Sequence, residues 1–170
     1  AAIGMLAPVV LETKVHHALG GWAEPLGIAL IADGFALGML ALIAVVMSAV
    51  GPYARAYFSA TGHPAPAFWP LSLFLWAGLN ALVVSADAFN TYVTLEIVSL
   101  VGVGLTALGR ERALAAAFRY LIAGMLASLL YLLGIAVLYV EHGTLVLSEL
   151  AALAATGESG FVAIPCIVLG

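Results

Sequence analysis

A single carboxylate interrupts the apolar run TYVTLEIVSLVGVGLTALG, which covers residues 91–109. On a helix this glutamate, Glu96, shares one stripe with Tyr92, Ser99 and Thr106, because the four residues are spaced by four, three and seven positions. An ionised carboxylate at the centre of a membrane helix costs about 2.5–3.5 kcal/mol, so it needs a partner, a proton or a function. The stripe should therefore face protein or water, with Tyr92, Ser99 and Thr106 as a candidate polar path beside Glu96.

A second charged side chain, Arg119, lies within AAAFRYLIAGMLASLLYLLG, residues 115–134. Arg119 lies roughly 10 Å from Arg112 along its helix, and Glu96 lies roughly 21 Å from Arg110 along the antiparallel neighbour. The two therefore differ in depth by about 10 Å. A nearby cation favours the charged form of a carboxylate and burial favours the neutral form, and proton transfer requires a balance of the two. There are simpler alternatives: Arg119 extends to the lipid headgroups, and Glu96 only hydrogen-bonds a neighbouring helix.

Composition identifies the class of protein that carries these residues. The chain is 65% hydrophobic and 8% charged, whereas soluble domains are about 25% charged, so it is an integral membrane protein. Its net charge of -4 provides no basic surface for nucleic acid. Cys166 is the only cysteine, which excludes an internal disulfide and a cysteine-based metal site. The tract GVGLTA, residues 102–107, has the spacing of a dinucleotide fingerprint, but it lies inside a membrane span. We expect neither a cofactor nor a metal.

Hydrophobic segments define the expected architecture. A helix needs roughly 20 apolar residues to cross a bilayer core about 30 Å thick. Four segments satisfy this: residues 33–52, 69–86, 88–109 and 113–140. Two further segments read as cut spans, residues 1–11 and 161–170. The sequence therefore predicts an all-α polytopic transmembrane helix bundle, a single membrane domain over residues 1–170 that is a fragment or split half of a longer subunit.

Turn residues and charges predict how these spans are connected and oriented. Residues 16–34 contain Gly-Gly and Glu-Pro, which favour a short surface hairpin. Asp87 is expected to end one helix or cap the next. Basic residues gather in cytoplasmic loops, so the loops of Arg55, Arg110 and Arg112 are expected in the cytoplasm and the hairpin outside it.

The segment DAFNTYVTLEIVSLVGVGLTALGRERALAAAFRYLIAGMLASLLYLLGIAVLYVEHGTL, residues 87–145, resembles the core of a known family. This family comprises the antiporter-like subunits shared by respiratory complex I, membrane-bound hydrogenases and the multisubunit Mrp cation/proton antiporters. The upstream LGGWAEPLGIALIADG, residues 19–34, is similar to the hairpin and helix entry of the Mrp-D branch. The resemblance covers about residues 16–170. It implies a cell inner membrane location, lipid contact, other membrane subunits as partners, and protons with Na⁺ or K⁺ as transported ions.

The resemblance also implies roles for individual residues. Glu96 matches the family's glutamate on the fifth helix, which takes part in proton translocation. Arg119 matches a position that is usually lysine on the sixth helix and that tunes this glutamate. Arginine effectively never loses its proton, so Arg119 keeps an electrostatic role but not a relay role. The family's lysine on the seventh helix would be expected close to Gly170, and Lys14 is the only lysine in the chain.

Three functions remain open from the sequence. The first is a transporter subunit for Mrp-type Na⁺ or K⁺/proton antiport, without a catalytic motif of its own. The second is a proton-pumping subunit of complex I or a membrane-bound hydrogenase. The third is a structural membrane subunit in which Glu96 and Arg119 only fix helix packing. The third predicts that Glu96→Gln leaves transport unchanged.

Overall fold

The computed structural model describes residues 14–21, 27–61, 66–109 and 111–155. Two strands, β1 and β2, pair antiparallel within the segment expected to form a hairpin, with Val15 opposite Ala32 and Ala18 opposite Ala29. Five α-helices follow them along the described chain. The bounds are β1 Val15–Ala18, β2 Ala29–Ala32, α1 Gly34–Thr61, α2 Phe68–Val83, α3 Ala88–Ala107, α4 Glu111–His142 and α5 Leu147–Ala155.

Three of these helices are long and apolar enough to cross a membrane: α1, α3 and α4. The remaining apolar helix, α2, has 16 residues, a length of about 24 Å against a hydrocarbon core of about 30 Å. Only 11% of the most apolar stretch of α1 and of α4 is buried. Large apolar surfaces of this kind belong against lipid or another polypeptide. The expected partial spans at 1–11 and 161–170 lie outside the described residues.

Two helix boundaries differ from the expected ones for identifiable reasons. The first helix continues to Thr61 rather than ending at residue 52, with Pro52 inside it. Its last turns contact the start of α2 through Phe58 and Phe68, whose ring centroids are 5.1 Å apart. The length of the apolar run therefore indicated the membrane-spanning part of α1 but not its full length.

The second helix ends at Val83 rather than at residue 86 because the backbone of Val84 and Ala86 bonds to β2 and to the chain that follows α4. The Ile31 N–H donates to the Val84 carbonyl at 2.8 Å, and the Ala86 N–H donates to the Ala29 carbonyl at 3.1 Å. On the other side, the Leu147 N–H donates to the Ala86 carbonyl at 3.0 Å. Residues 84–87 thus form a connection between β2 and the chain that follows α4.

Asp87 ends this segment and begins the helix that carries Glu96. Its backbone is extended, and its side chain accepts a hydrogen bond from the Asn90 N–H at 2.6 Å, which confirms the predicted helix cap. The Ser85 hydroxyl accepts bonds from the Asn90 amide at 2.9 Å and from the Thr91 hydroxyl at 3.1 Å. These bonds fix the start of α3 and therefore the depth at which Glu96 lies.

Glycines let α3 pack closely between α2 and α4. A Cβ atom on Gly78 of α2 would lie 3.1 Å from Val98 Cγ2, and one on Gly104 would lie 3.2 Å from Leu71 Cδ2. On the other side of α3, a Cβ on Gly124 would lie 3.1 Å from the Ser99 Oγ. Real side chains seldom pack this tightly, so glycine sets the distance between these helices.

Candidate functional site

The candidate site is a partly open cavity of about 330 Å³ between α3 and α4. A water molecule takes up about 30 Å³ of liquid volume, so the cavity has room for several. Its polar lining groups are two tyrosines, two serines and one glutamate. The lining residues are Tyr92, Leu95, Glu96, Ser99, Gly124, Ala127, Ser128 and Tyr131.

Glu96 lies near the middle of α3 and is partly buried against this cavity. Within the described parts of the chain its carboxyl group makes no hydrogen bond and no ion pair. Burying an ionised carboxylate without such partners is costly, and the cavity beside Glu96 has room for the water that could solvate its carboxyl group.

Two stacked tyrosines line the part of the cavity nearest Asp87. The rings of Tyr92 and Tyr131 have centroids 6.2 Å apart and planes inclined by 12°, which is a stacked geometry. Phe89 extends the cluster, with its centroid 6.1 Å from that of Tyr92. Because Tyr92 precedes Glu96 by one helical turn, the stacked pair lies between Glu96 and the Asp87 end of α3.

The opposite part of the cavity is narrowed by close helix packing. Ser99 follows Glu96 by about one turn and meets Gly124 there, where an added Cβ would almost touch its hydroxyl. One turn further, a Cβ on Gly102 would lie 3.5 Å from the Tyr120 ring, an ordinary van der Waals contact. The two helices are therefore in direct contact at Ser99 and Gly124 and again at Gly102 and Tyr120.

The residues expected from the sequence divide into two groups. Tyr92, Glu96 and Ser99 come together in the cavity. Thr106 does not line it: its hydroxyl donates to the Gly102 carbonyl at 2.8 Å, and the residue is exposed.

Arg119 is also outside the cavity. Its side chain is exposed on α4, and in the described ranges it makes neither an ion pair nor a hydrogen bond. It precedes Gly124 by five residues, a rotation of about 140° around the helix. It also lies about 12 Å along the axis from Ala127, which lines the cavity on the same helix. Any effect of Arg119 on Glu96 must therefore act through space.

The four lining residues of α4 were not expected from the sequence; besides Ala127 they are Gly124, Ser128 and Tyr131. They follow steps of four and three, the same spacing that revealed the stripe on α3. This weak small and polar stripe could have been found by comparing the faces of adjacent helices. The Ser128 hydroxyl donates to the Met125 carbonyl at 3.2 Å, which leaves its oxygen free to accept a bond from water.

The cavity residues lie in a part of the chain that matches the sequence profile of a known protein family. Residues 85–169, which include the whole cavity lining, match the sequence profile described as NADH:quinone oxidoreductase/Mrp antiporter, TM. The chain is 37% identical over 153 residues to the N subunit of the NADH-quinone oxidoreductase of Desulforudis audaxviator, a match that covers 89% of the chain and 30% of the relative. It is 30% identical over 159 residues to the D subunit of the Na(+)/H(+) antiporter of Alkalihalophilus pseudofirmus, covering 89% of the chain and 32% of the relative.

Two solved structures share the fold. One is the membrane-bound sulfane sulfur reductase, an archaeal respiratory membrane complex, with a TM-score of 0.78 and 27% identity over 99% of this chain and 35% of the matched one. The other is the Mrp complex from Dietzia sp. DQ12-45-1b, with a TM-score of 0.70 and 25% identity over 98% of this chain and 32% of the matched one. The chain thus spans about a third of the length of the relatives and structures that it matches.

Proposed function

Because the chain belongs to the NADH:quinone oxidoreductase/Mrp antiporter family of membrane proteins, we propose that it translocates protons within a multisubunit membrane complex. The observation that carries this proposal is Glu96, a carboxyl group midway along an apolar helix, beside a cavity large enough for water and without a partner among the residues that the structure describes. A membrane helix retains such a residue at a cost of about 2.5–3.5 kcal/mol when it is charged. Reversible protonation of Glu96 explains why that cost is tolerated.

In this proposal Glu96 binds the proton from water on one side of the cavity and releases it to water on another. The neutral, protonated form needs little solvation, whereas the charged form needs the cavity water. Tyr92, Ser99, Ser128 and Tyr131 supply hydroxyl groups that hold this water in place. Thr106 lies too far from the cavity to contact the same water.

Arg119 supplies a fixed positive charge that acts on Glu96 at a distance. Arginine remains charged under all physiological conditions, so it neither accepts nor releases the transported proton. Its charge acts through space on Glu96 and on the water beside it. Its separation from the cavity keeps this effect small, because the interaction between two charges weakens with distance.

Coupling to Na⁺ or K⁺, as in an Mrp-type antiporter, is the first candidate for the complete complex. The similarity over both the hairpin region and the helices to relatives named as the D subunit of a Na(+)/H(+) antiporter supports it. The second candidate is a proton-pumping subunit of a respiratory complex, which the NADH-quinone oxidoreductase relative and the sulfane sulfur reductase structure favour. Proton flux that requires Na⁺ or K⁺ supports the first, and flux that requires electron transfer supports the second.

The proposed membrane arrangement follows the distribution of basic residues. The end of α1 that carries Arg55, the start of α4 that carries Arg112, and Arg110 between α3 and α4 face the cytoplasm of a cell inner membrane, and the β1–β2 pair faces the other side. The helix α2 is a fourth span, whose ends are extended by residues 84–87 and by residues 66–67. The exposed apolar faces of α1 and α4 contact lipid and the partner subunits.

The decisive experiment measures proton flux in membrane vesicles that contain the assembled complex, with Glu96→Gln compared with the native chain. This substitution keeps the shape of the side chain and removes the titratable group, so we expect flux to be lost while assembly is retained. The matched control is Glu141→Gln at the end of α4, where the side chain is 42% exposed. Native flux in Glu96→Gln at equal assembly would contradict the proposal and leave a structural role as the better explanation.

A further inference from the structure

The cavity around Glu96 is bounded differently at its two ends. Towards Ala107 the helices are held together by Ser99 against Gly124, where a Cβ would come within 3.1 Å of the Ser99 Oγ. Towards Asp87 the boundary consists of two aromatic side chains, Tyr92 and Tyr131, rather than helix backbone. Opening the first end requires separating two helices, whereas opening the second requires only that side chains change rotamer.

The position of the tyrosine pair places it across one route to Glu96. Asp87 begins α3 at the surface segment that bonds to β2, and Glu96 lies nine residues further along, a rise of about 13 Å. Tyr92 lies about 6 Å from Glu96 along the same axis, on the side of Asp87. Water that approaches Glu96 from the Asp87 end along the α3–α4 interface must therefore pass the stacked rings.

We infer that Tyr92 and Tyr131 form an aromatic gate that controls the access of water to Glu96 from the Asp87 end of the cavity. The inference rests on the proposed function, because it assigns a role to these residues in the protonation of Glu96. The rings are the working part of the gate, and their hydroxyl groups hold water when it opens. Both residues are positioning residues, and Glu96 remains the group that carries the proton.

The stack determines how far the gate is closed at rest. A stacked aromatic pair is favoured by a factor of about two to ten over rings that do not interact. Replacing one ring with an aliphatic side chain removes this preference, whereas Tyr→Phe retains the ring and removes only the hydroxyl. The two substitutions at position 131 therefore separate the role of the ring from that of the hydroxyl group.

The test measures the chemical labelling of Glu96 in the assembled complex in its membrane, using a water-soluble carbodiimide and mass spectrometry of the peptide that contains Glu96. We expect Tyr131→Leu and Tyr92→Leu each to increase labelling by about two- to tenfold, the factor set by the stacked pair. Tyr131→Phe, which keeps the ring, should label more slowly than Tyr131→Leu. The control is Tyr139→Leu, because Tyr139 lies on the same helix and is 47% exposed outside the cavity. Labelling of the exposed Glu141 provides the internal reference.

Two further comparisons make the result specific to a gate. The double variant Tyr92→Leu/Tyr131→Leu should label no faster than either single variant, because both act on one stacked pair. A lipid-soluble carbodiimide, which reaches Glu96 from the bilayer, should label native and variant complexes at the same rate. Equal increases with both reagents would indicate a general loosening of α3 and α4 and would overturn the inference.

The outcome is independent of the transport measurement. If Glu96→Gln abolishes flux but both leucine variants label at the native rate, the proposed function stands and the gate is refuted. If the leucine variants label faster while Glu96→Gln retains native flux, the gate is supported as a control of access and the proton-carrier role is refuted.

Discussion

The contact of Gly78 with α3 allows the packing of this bundle to be tested quantitatively. A Cβ atom added there would lie 3.1 Å from Val98 Cγ2 and 3.2 Å from Ile97 Cγ2. Both neighbours are β-branched and hold one preferred χ1 rotamer in a helix, so neither can easily turn away. Gly78→Ala should therefore incur an overpacking cost of about 1–3 kcal/mol.

A matched control measures the second effect of Gly78→Ala, which is the gain in backbone stability when alanine replaces glycine in a helix. Replacing glycine with alanine inside a helix is favourable by roughly 0.5–1 kcal/mol through the backbone alone. Gly38 lies inside α1, and a Cβ there would meet nothing within 4 Å. Gly38→Ala thus reports the backbone gain without overpacking. The stability difference between the two variants should equal the packing cost, with Gly78→Ala the less stable by about 1–3 kcal/mol.

Thermal unfolding of the purified complex, followed by the loss of assembled chain, measures this difference. For a folded unit of about 150–250 residues, 1 kcal/mol corresponds to about 2–4 °C, so Gly78→Ala should unfold several degrees below Gly38→Ala. Equal unfolding temperatures would refute the reasoning, because they would mean that α2 and α3 move apart without cost. In that case the spacing between these helices would not be set by glycine.

Two further predictions concern charged residues near the site. Asp87→Ala should destabilise the start of α3 by about 0.5–2 kcal/mol, measured by the same unfolding assay, while Asp87→Asn retains a capping oxygen and should remain near the native stability. Arg119→Gln should lower proton flux by no more than about fivefold, because Arg119 lies about 12 Å along α4 from Ala127 of the cavity lining, and a unit charge at roughly that distance contributes roughly 1 kcal/mol at an effective dielectric constant of about 20. Loss of flux as complete as in Glu96→Gln would show that Arg119 acts in direct contact with the proton path.

The sequence alone identified features that depend on local spacing. Apolar length predicted the helices, because a bilayer span needs a fixed number of residues. Helical periodicity placed Tyr92, Glu96 and Ser99 on one stripe, and the structure brings these three to one cavity. The capping role of Asp87 was also predictable, since a cap involves only residues adjacent along the chain.

Features that depend on contacts between distant segments were decided only by the tertiary structure. The end of α2 at Val83 results from hydrogen bonds between the residues that follow it and distant parts of the chain, at Ala29 and Leu147. The exposed position of Arg119 results from the rotation of α4, which turns Gly124, Ser128 and Tyr131 towards Glu96.

Residue types and spacing therefore determined that this chain carries an unusual carboxyl group on an apolar membrane helix. They could not determine which side chains surround it, because a helix shows the same periodicity whichever neighbour it packs against. Close packing at Gly78 and Gly124 fixes that choice by allowing only certain faces to meet. The cavity and its stacked tyrosines are the result of this packing, and they give Glu96 surroundings that suit proton transfer.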